Sequence, residues 1–217
     1  MERIKMKEKC IIVGAGTYGQ VYAEYLQENY EIIGFIDDNE ELKNTKIGEF
    51  SVLGNFEFLI QTIEKTTNVF VPIGNNQVRT NLLKKLLKEG FKTPNFIHPT
   101  CNIHPSVTMG QCVYILPNTN IMPLTIIQDF VLISMGVNIA HHTFIDEGCF
   151  FSQGSNIGAS IHFKKNVFCG IASTVMTGVK TVGVNSLIGA GAVIIRDVAD
   201  GATVVGNPGR IIKIKDS

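Results

Sequence analysis

An apolar residue recurs at every sixth position through the second half of the chain. The run extends from Ile103 to Val175 over thirteen positions without an exception, and eight of these residues are isoleucine. An α-helix has no period of six and a strand alternates with period two, so this spacing predicts a parallel β-solenoid with about six residues per flat face. One inward aliphatic per face then stacks on its counterpart in the next coil. The register slips by one residue after Val175 and resumes at Val182, Ile188 and Ile194.

Composition sets outer bounds on function. The chain has 217 residues and zero net charge, which gives no sign of a nucleic-acid or acidic-membrane partner. No run of eighteen apolar residues is present, so no membrane-spanning helix is predicted. The five cysteines contain no C-x-x-C pair, and Cys169 occupies an inward repeat position. Reduced cysteines in the cytoplasm are therefore expected, and no metal site is predicted.

The first hundred residues follow a different pattern, in which strands and helices alternate. Strands are predicted at residues 10–13, 31–36, 68–73 and 91–97, and helices at residues 18–30, 56–64 and 77–89. Such alternation predicts a small parallel α/β sheet of the half-Rossmann type. We therefore expect an α/β domain at residues 1–100 and the solenoid, with a C-terminal tail, at residues 101–217.

A glycine-rich loop lies between the first predicted strand and the first predicted helix. Gly14, Gly16 and Gly19, with Thr17 and Tyr18 between them, match the pattern G-x-G-x-x-G. In this context backbone amides and a helix N-terminus can hold a diphosphate. A tight turn whose glycines serve only packing is the alternative interpretation.

Asp37 and Asp38 end the second predicted strand, where a contact with ribose or base is expected. A complete NAD-binding domain needs about six strands. Only about four fit before residue 100, so a single nucleotide diphosphate suits this domain better than a dinucleotide.

Three segments carry a resemblance to a known family. They are the glycine loop with its aspartates, the stretch Ile73-Gly74-Asn75-Asn76-Gln77-Val78-Arg79, and residues 138–142 of the solenoid. Together they resemble the bacterial nucleotide-amino-sugar N-acetyltransferases of the hexapeptide-repeat family, of the bacillosamine and dTDP-4-amino-4,6-dideoxy-sugar pathways, which are related to the sialic acid O-acetyltransferases. The resemblance spans nearly the whole chain. It implies an N-terminal domain that binds the nucleotide sugar, a left-handed β-helix that trimerises, and acetyl-CoA bound between adjacent solenoids.

The implied reaction is attack of a sugar amine on a thioester, for which a histidine general base is suited. The resemblance places this base at His141. The next residue is commonly acidic in the family but is His142 here, so what orients the base is an open question. His142 is a second catalytic candidate, in a supporting role, and the alternative is an exposed or trimer-interface histidine. Where the family often has a second histidine near the thioester, this chain has Phe150. We expect His162 to be structural.

Further contacts are expected on both sides of the reaction. Asn75, Asn76 and Pro117 are candidates for the nucleotide sugar, although asparagine in a loop also favours turns. Candidates for acetyl-CoA are Phe150, the small residues Ala159, Gly170 and Ala172, Lys180 in the register slip, and Asn207 and Pro208 in a terminal loop. Small residues at these positions also suit repeat turns.

The expected function is acetyl-CoA-dependent N-acetylation of a UDP- or dTDP-linked 4-amino-4,6-dideoxy sugar in surface-polysaccharide or O-antigen biosynthesis. Alternatives are a sialic acid O-acetyltransferase, a γ-type carbonic anhydrase and a non-catalytic scaffold. A homotrimer is expected because a single β-helix exposes flat apolar faces. A three-fold contact between copies would bury these faces and remove their apolar area from water. Aliphatics expected on those faces are Val107, Val113, Val131 and Val137.

Overall fold

A five-stranded sheet organises the N-terminal unit of the computed structural model, which describes residues 7–215. The chain divides into two compact units between Pro94 and Asn95. The strands of the first unit are β1 Glu8–Val13, β2 Tyr30–Ile36, β3 Lys46–Ile47, β4 Phe50–Gly54 and β5 Asn68–Phe70, and its helices are α1 Thr17–Leu26, α2 Phe56–Thr62 and α3 Asn76–Lys88. The order is β3-β4-β2-β1-β5, and every pairing is parallel except β3 with β4.

The β3–β4 hairpin was not predicted. Its strands have only two and five residues, and they join at Gly48, whose φ of +61° suits glycine. The hairpin extends the sheet because β4 pairs with β2, a partner distant in sequence. A local pattern cannot reveal such a pairing.

The strand predicted at residues 91–97 is wrong. Lys92 makes only an isolated bridge to Asn68 of β5. Phe96–Ile97 is instead a strand of the second unit, where it pairs with Tyr114–Ile115. The apolar residues that suggested a strand of the α/β sheet thus begin the solenoid.

The α/β helices begin close to where the sequence predicts. α2 and α3 are capped by Asn55 and Asn75, whose side-chain oxygens accept the backbone N–H groups of Phe58 and Val78 at 3.0 Å. α1 ends at Leu26, earlier than predicted, because β2 already begins at Tyr30.

The second unit is a parallel β-helix. Seventeen of its strands have two residues each, and two longer strands close it: β6 Phe96–Ile97, β7 Asn102–Ile103, β8 Thr108–Met109, β9 Tyr114–Ile115, β10 Asn120–Ile121, β11 Ile126–Ile127, β12 Leu132–Ile133, β13 Asn138–Ile139, β14 Phe144–Ile145, β15 Phe150–Phe151, β16 Asn156–Ile157, β17 His162–Phe163, β18 Phe168–Cys169, β19 Thr174–Val175, β20 Thr181–Val182, β21 Leu187–Ile188, β22 Val193–Ile194, β23 Ala202–Val205 and β24 Arg210–Ile214. They form three sheets of six, five and eight strands.

The six-residue repeat is confirmed as the core of this unit. Each repeat aliphatic is the second residue of a strand and pairs in register with its equivalent in the next coil, as Ile121 does with Ile139. Cys169 is fully buried in this core, and burial raises the pKa of its thiol. None of the five cysteines, all of which lie within the described residues, forms a disulfide.

The valines expected on exposed faces are buried instead. Val113, Val131 and Val137 are fully buried in the solenoid core, and Val107 packs against it. Each stands two residues before a repeat aliphatic, and alternation along a strand turns both side chains to the same side. The prediction that these valines lie on exposed faces of the β-helix is therefore wrong.

Candidate active site

The two candidate catalytic histidines lie in the turn between β13 and β14. Both side chains are exposed. Backbone hydrogen bonds to neighbouring coils hold the turn, since the N–H of His142 donates to the Pro123 carbonyl and the N–H of Ser160 donates to the His141 carbonyl. The β-helix therefore fixes the position of both residues.

The two imidazoles contact each other directly. The Nδ1 atom of His141 lies 2.9 Å from the Nδ1 atom of His142, and the ring planes are nearly perpendicular, at 88°. This distance is that of a hydrogen bond, which requires one nitrogen to carry a proton and the other to accept it. The pair is thus linked through one shared proton.

An open groove of about 430 Å³ runs along the face that precedes this turn. Residues spaced by one coil line it, with Ala140 and Gly158 in the middle and Met122 and Met176 on either side. Ala140 is the chain neighbour of His141, so the turn with the two histidines borders the middle of the groove.

A ladder of asparagine side chains lies in the same groove. The Nδ2 of Asn120 donates to Oδ1 of Asn138, and the Nδ2 of Asn138 donates to Oδ1 of Asn156, both at 2.9 Å. Apolar walls beside an amide ladder suit an extended ligand that carries both methylene and amide groups.

A third histidine, His162, has a carboxylate as its partner. The Nε2 atom of His162 lies 3.0 Å from an Asp146 carboxylate oxygen, and its ring packs edge-on against Phe144. A carboxylate is a common partner of catalytic imidazoles, so His162 is the competing candidate for a general base.

In the N-terminal unit, the three glycines of the loop have different constraints. Gly14 has a φ of +101°, and a side chain at Gly19 would collide with the Gly14 carbonyl oxygen. Gly16 precedes α1 in an extended conformation, and nothing lies within 4 Å of where its Cβ would stand. Gly14 and Gly19 are thus required by the fold, whereas Gly16 faces open space.

The helix that follows this loop has no side-chain N-cap. Thr17 and Tyr18 form its first turn, and Thr17 is exposed. The N-terminus of α1 can therefore receive an anion beside Gly16.

The two aspartates that follow β2 accept hydrogen bonds from backbone N–H groups of other segments. Asp37 accepts the N–H of Ala15 at 2.8 Å and the N–H of Asn39 at 2.9 Å through its two carboxylate oxygens. Asp38 accepts the N–H of Phe56 at 2.9 Å, at the start of α2. Asp37 thus braces the glycine loop, a role that the sequence did not indicate.

Asn75 and Asn76 both have partners within the unit. Asn75 caps α3, and Asn76 accepts a hydrogen bond at 3.0 Å from the fully buried guanidinium of Arg79. Arg79 also donates to the Ile73 carbonyl at 2.8 Å. The sequence pattern gave Arg79 no role, although its spacing of three residues from Asn76 indicates that the two side chains can meet on one helix face.

The remaining small or buried candidates occupy repeat positions. Pro117 is buried, and Phe150 is buried with its ring 5.1 Å from that of Phe168. The N–H of Ala159, also buried, donates to the Thr177 hydroxyl at 3.1 Å. These contacts give each residue a structural reason beside its expected binding role.

Two further small residues meet backbone constraints. A Cβ at Gly170 would lie 2.7 Å from the Ala190 nitrogen, so the next coil requires glycine there. Ala172 has a φ of +53°, at a repeat turn.

The last candidates are exposed. Lys180 projects from the coil that contains the register slip. Its N–H and that of Thr181 donate to Asp197, and these bonds hold the pKa of that carboxyl below its usual value. Asn207 and Pro208, joined by a cis peptide bond, lie exposed between β23 and β24.

Within residues 7–215, no group of three or more His, Cys, Asp or Glu side chains comes together that could hold a metal ion. None of the helices in this range is long and apolar enough to cross a membrane.

Residues 9–86 match the family described as the PglD N-terminal domain. Over most of its length the chain also resembles the acetyltransferase domain of PglB from Neisseria gonorrhoeae. The two are 28% identical with a TM-score of 0.88, and the match covers 95% of this chain and 100% of that one. A structure of that domain in complex with acetyl coenzyme A is also similar.

A histidine-to-alanine mutant of GDP-perosamine N-acetyltransferase from Caulobacter crescentus, in complex with CoA and GDP-perosamine, gives a comparable match. It is 26% identical with a TM-score of 0.88, over 96% of this chain and 98% of that one. This chain resembles the hexapeptide-repeat sugar acetyltransferases. The predicted family resemblance, the left-handed β-helix and the acyltransferase class are confirmed, and the similar structures contain the expected CoA or acetyl-CoA. WeeI from Acinetobacter baumannii, 24% identical with a TM-score of 0.86 over 94% of this chain and 100% of that one, shares the fold.

Proposed function

We propose that the protein transfers the acetyl group of acetyl-CoA to the amine of a nucleotide-linked 4-amino-4,6-dideoxy sugar, with His141 as general base. The observation that carries this proposal is an exposed imidazole, hydrogen-bonded to a second one, at the edge of an apolar, amide-lined groove on a β-helix of the acetyltransferase type. Complexes of similar proteins with CoA, acetyl-CoA and GDP-perosamine support both substrates.

The proposed chemistry needs one proton to be moved twice. The Nε2 atom of His141 takes a proton from the sugar amine as the amine nitrogen forms a bond to the thioester carbonyl carbon. The carbon–sulfur bond then breaks with its electron pair on sulfur, and the imidazolium returns the proton to that sulfur. The products are an amide and free CoA.

We assign the groove bordered by Ala140 to the pantetheine arm of acetyl-CoA. Its methionine walls suit methylene groups, and the asparagine ladder offers hydrogen bonds to the amides of the arm. Among the predicted contacts, Lys180, Asn207 and Pro208 remain candidates for the exposed end of this ligand.

Replacement of Ala140 by leucine tests this assignment. Met122 and Met176 occupy the same position in other coils, so the turn accepts a long side chain and the variant should fold. A leucine there fills the centre of the groove, and we expect the KM for acetyl-CoA to rise about tenfold with a smaller change for the sugar. Initial-rate kinetics measure this, with Met122→Leu as a volume-conserving control. An acetyl-CoA KM unchanged in folded Ala140→Leu would remove the groove from the site.

We assign the nucleotide sugar to the N-terminal unit. Gly16 and the uncapped N-terminus of α1 offer backbone N–H groups to a diphosphate. Asp38 is a candidate for the ribose or base. UDP or dTDP remains the predicted carrier, and GDP joins the test panel because the Caulobacter enzyme was crystallised with GDP-perosamine.

We further propose a homotrimer in a cytoplasmic setting. Large apolar side chains of the β-helix are exposed in the single chain, among them Ile126, Ile171 and Leu187. Burial of such residues between copies removes apolar area from water. Five cysteines without a disulfide among them fit a reducing compartment.

Light scattering on the purified protein tests the assembly. We expect a mass three times the 23.8 kDa of one chain at micromolar concentration. A monomeric mass under these conditions would contradict the trimer and leave the exposed aliphatics unexplained.

The alternative functions have distinct readouts. Acetyl transfer to sialic acid in preference to any nucleotide amino sugar would favour the O-acetyltransferase. Stoichiometric zinc or iron in the purified protein would favour the γ-type carbonic anhydrase. Absence of both turnover and CoA binding would favour a scaffold.

A further inference from the structure

We propose that His142 is a positioning residue that fixes the tautomer of His141 by accepting its Nδ1 proton. This inference rests on the proposed function, in which His141 is the base. Its structural basis is the 2.9 Å contact between the two Nδ1 atoms.

Only one direction of this hydrogen bond is compatible with catalysis. If the Nδ1–H of His141 donates to His142, the Nε2 atom of His141 keeps its lone pair and can accept the substrate proton. In the reverse direction, neutral His141 carries its proton on Nε2 and cannot act as a base there. In the first direction, which is the one compatible with catalysis, neutral His142 holds its own proton on Nε2 and turns its Nδ1 lone pair to His141.

The same bond stabilises the charged form of the base. When the Nε2 atom of His141 takes up a proton, the ring becomes an imidazolium whose Nδ1–H still donates to His142. A hydrogen bond from a charged donor is about twice as strong as a neutral one, so the contact strengthens as the proton arrives. This is the role that a carboxylate performs beside many catalytic histidines.

The turn conformation does not itself require histidine at position 142. His142 has a φ of +57°, and the equivalent turn positions in other coils hold Leu124 at +63°, Ser160 at +60° and Gly178 at +107°. Leucine, serine and glycine all satisfy this backbone. The imidazole is therefore explained by its side-chain contact, and leucine is a fold-compatible replacement.

A graded series of variants tests the proposal. His142→Leu removes the acceptor and should lower kcat about 10- to 100-fold with little change in either KM. In His142→Asp and His142→Asn an oxygen replaces Nδ1 at the same distance along the side chain. We expect Asp to restore near wild-type kcat and Asn to fall between Asp and Leu. Ser160→Leu, at the same turn position in the next coil, is the matched control and should retain wild-type kcat.

A double variant separates positioning from general structural support. Because His142 acts through His141, adding His142→Leu to His141→Asn should cause no further loss of kcat. Additive losses, or equal activity of the Leu and Asp variants, would overturn the inference. If His141→Asn is itself fully active, the proposed function loses its base, which is a separate outcome.

Nitrogen NMR of the imidazole rings gives a readout that does not depend on turnover. We expect a proton on Nδ1 of His141 and on Nε2 of His142 in the wild-type protein. A proton on Nδ1 of His142 that is directed at His141 would contradict the inference, whatever reaction the protein catalyses.

Discussion

Replacement of His141 by asparagine should lower kcat by about 10²- to 10⁴-fold, the usual effect of losing a general base. Asparagine is polar and of similar size, but it has no basic nitrogen in place of Nε2. Both substrates should bind with nearly unchanged affinity, so the loss appears in kcat and in kcat/KM alike. Steady-state kinetics with both substrates varied measure it.

His162→Asn is the control for this prediction. His162 has a carboxylate partner in Asp146 at 3.0 Å, the arrangement that would make it the competing base. We expect its replacement to cost far less than the ~10²-fold minimum for loss of a base. If His141→Asn keeps more than about a tenth of wild-type kcat, or if His162→Asn shows the large loss, the assignment of His141 is wrong.

Replacement of Gly16 by valine should raise the KM for the nucleotide sugar about tenfold or more, with a smaller effect on the KM for acetyl-CoA. The extended backbone of Gly16, with φ −66° and ψ 177°, accepts a side chain, and the space around its Cβ is open. We therefore expect Gly16→Val to leave the fold and stability of the unliganded protein unchanged. Any effect reports on what approaches this loop from outside.

Gly19→Ala provides the contrast. Its Cβ would collide with the Gly14 carbonyl oxygen, a backbone atom, so we expect lower thermal stability from this smaller change. Thermal unfolding of both variants separates the two effects. An unchanged sugar KM in folded Gly16→Val would remove the loop from the binding site.

The repeat made the β-helix predictable because each inward aliphatic reports on its own coil. Val113 and Val131 were predicted on the exposed side because only one inward residue per repeat was considered. Each of them lies two positions before such a residue. Strand alternation turns both inward, and Val131 is as fully buried as Ile133. Strand alternation, applied also to the residue two positions before each repeat aliphatic, predicts the burial of these valines.

Other features of the fold depend on pairings between distant segments. β3 and β4 are too short to show alternation, and β4 joins the sheet through β2. Phe96–Ile97 has the pattern of a strand wherever it pairs, and its partner β9 decides which unit it joins. A pattern read along the chain cannot choose between such partners.

The candidate site was predictable in its residue types more than in its contacts. The resemblance to a known family indicated His141, but the contact with His142 depends on how two adjacent side chains turn toward each other. Asp37 is predicted to contact ribose or base, and its carboxylate also accepts the N–H of Ala15 in the glycine loop, a contact that the sequence did not indicate. Side-chain direction at the end of a strand follows from tertiary packing, which the sequence pattern does not encode.

Mass spectrometry of the purified protein with acetyl-CoA and a panel of amino sugars tests the central proposal most directly. The panel contains UDP-, dTDP- and GDP-linked 4-amino-4,6-dideoxy sugars, with free sialic acid and the matching 4-hydroxy nucleotide sugars as controls. The account predicts that at least one nucleotide amino sugar gains a single acetyl group as an equivalent of CoA is released, while its 4-hydroxy counterpart is unchanged. Acetylation of sialic acid alone, or no acetylated product with acetyl-CoA intact, would contradict it.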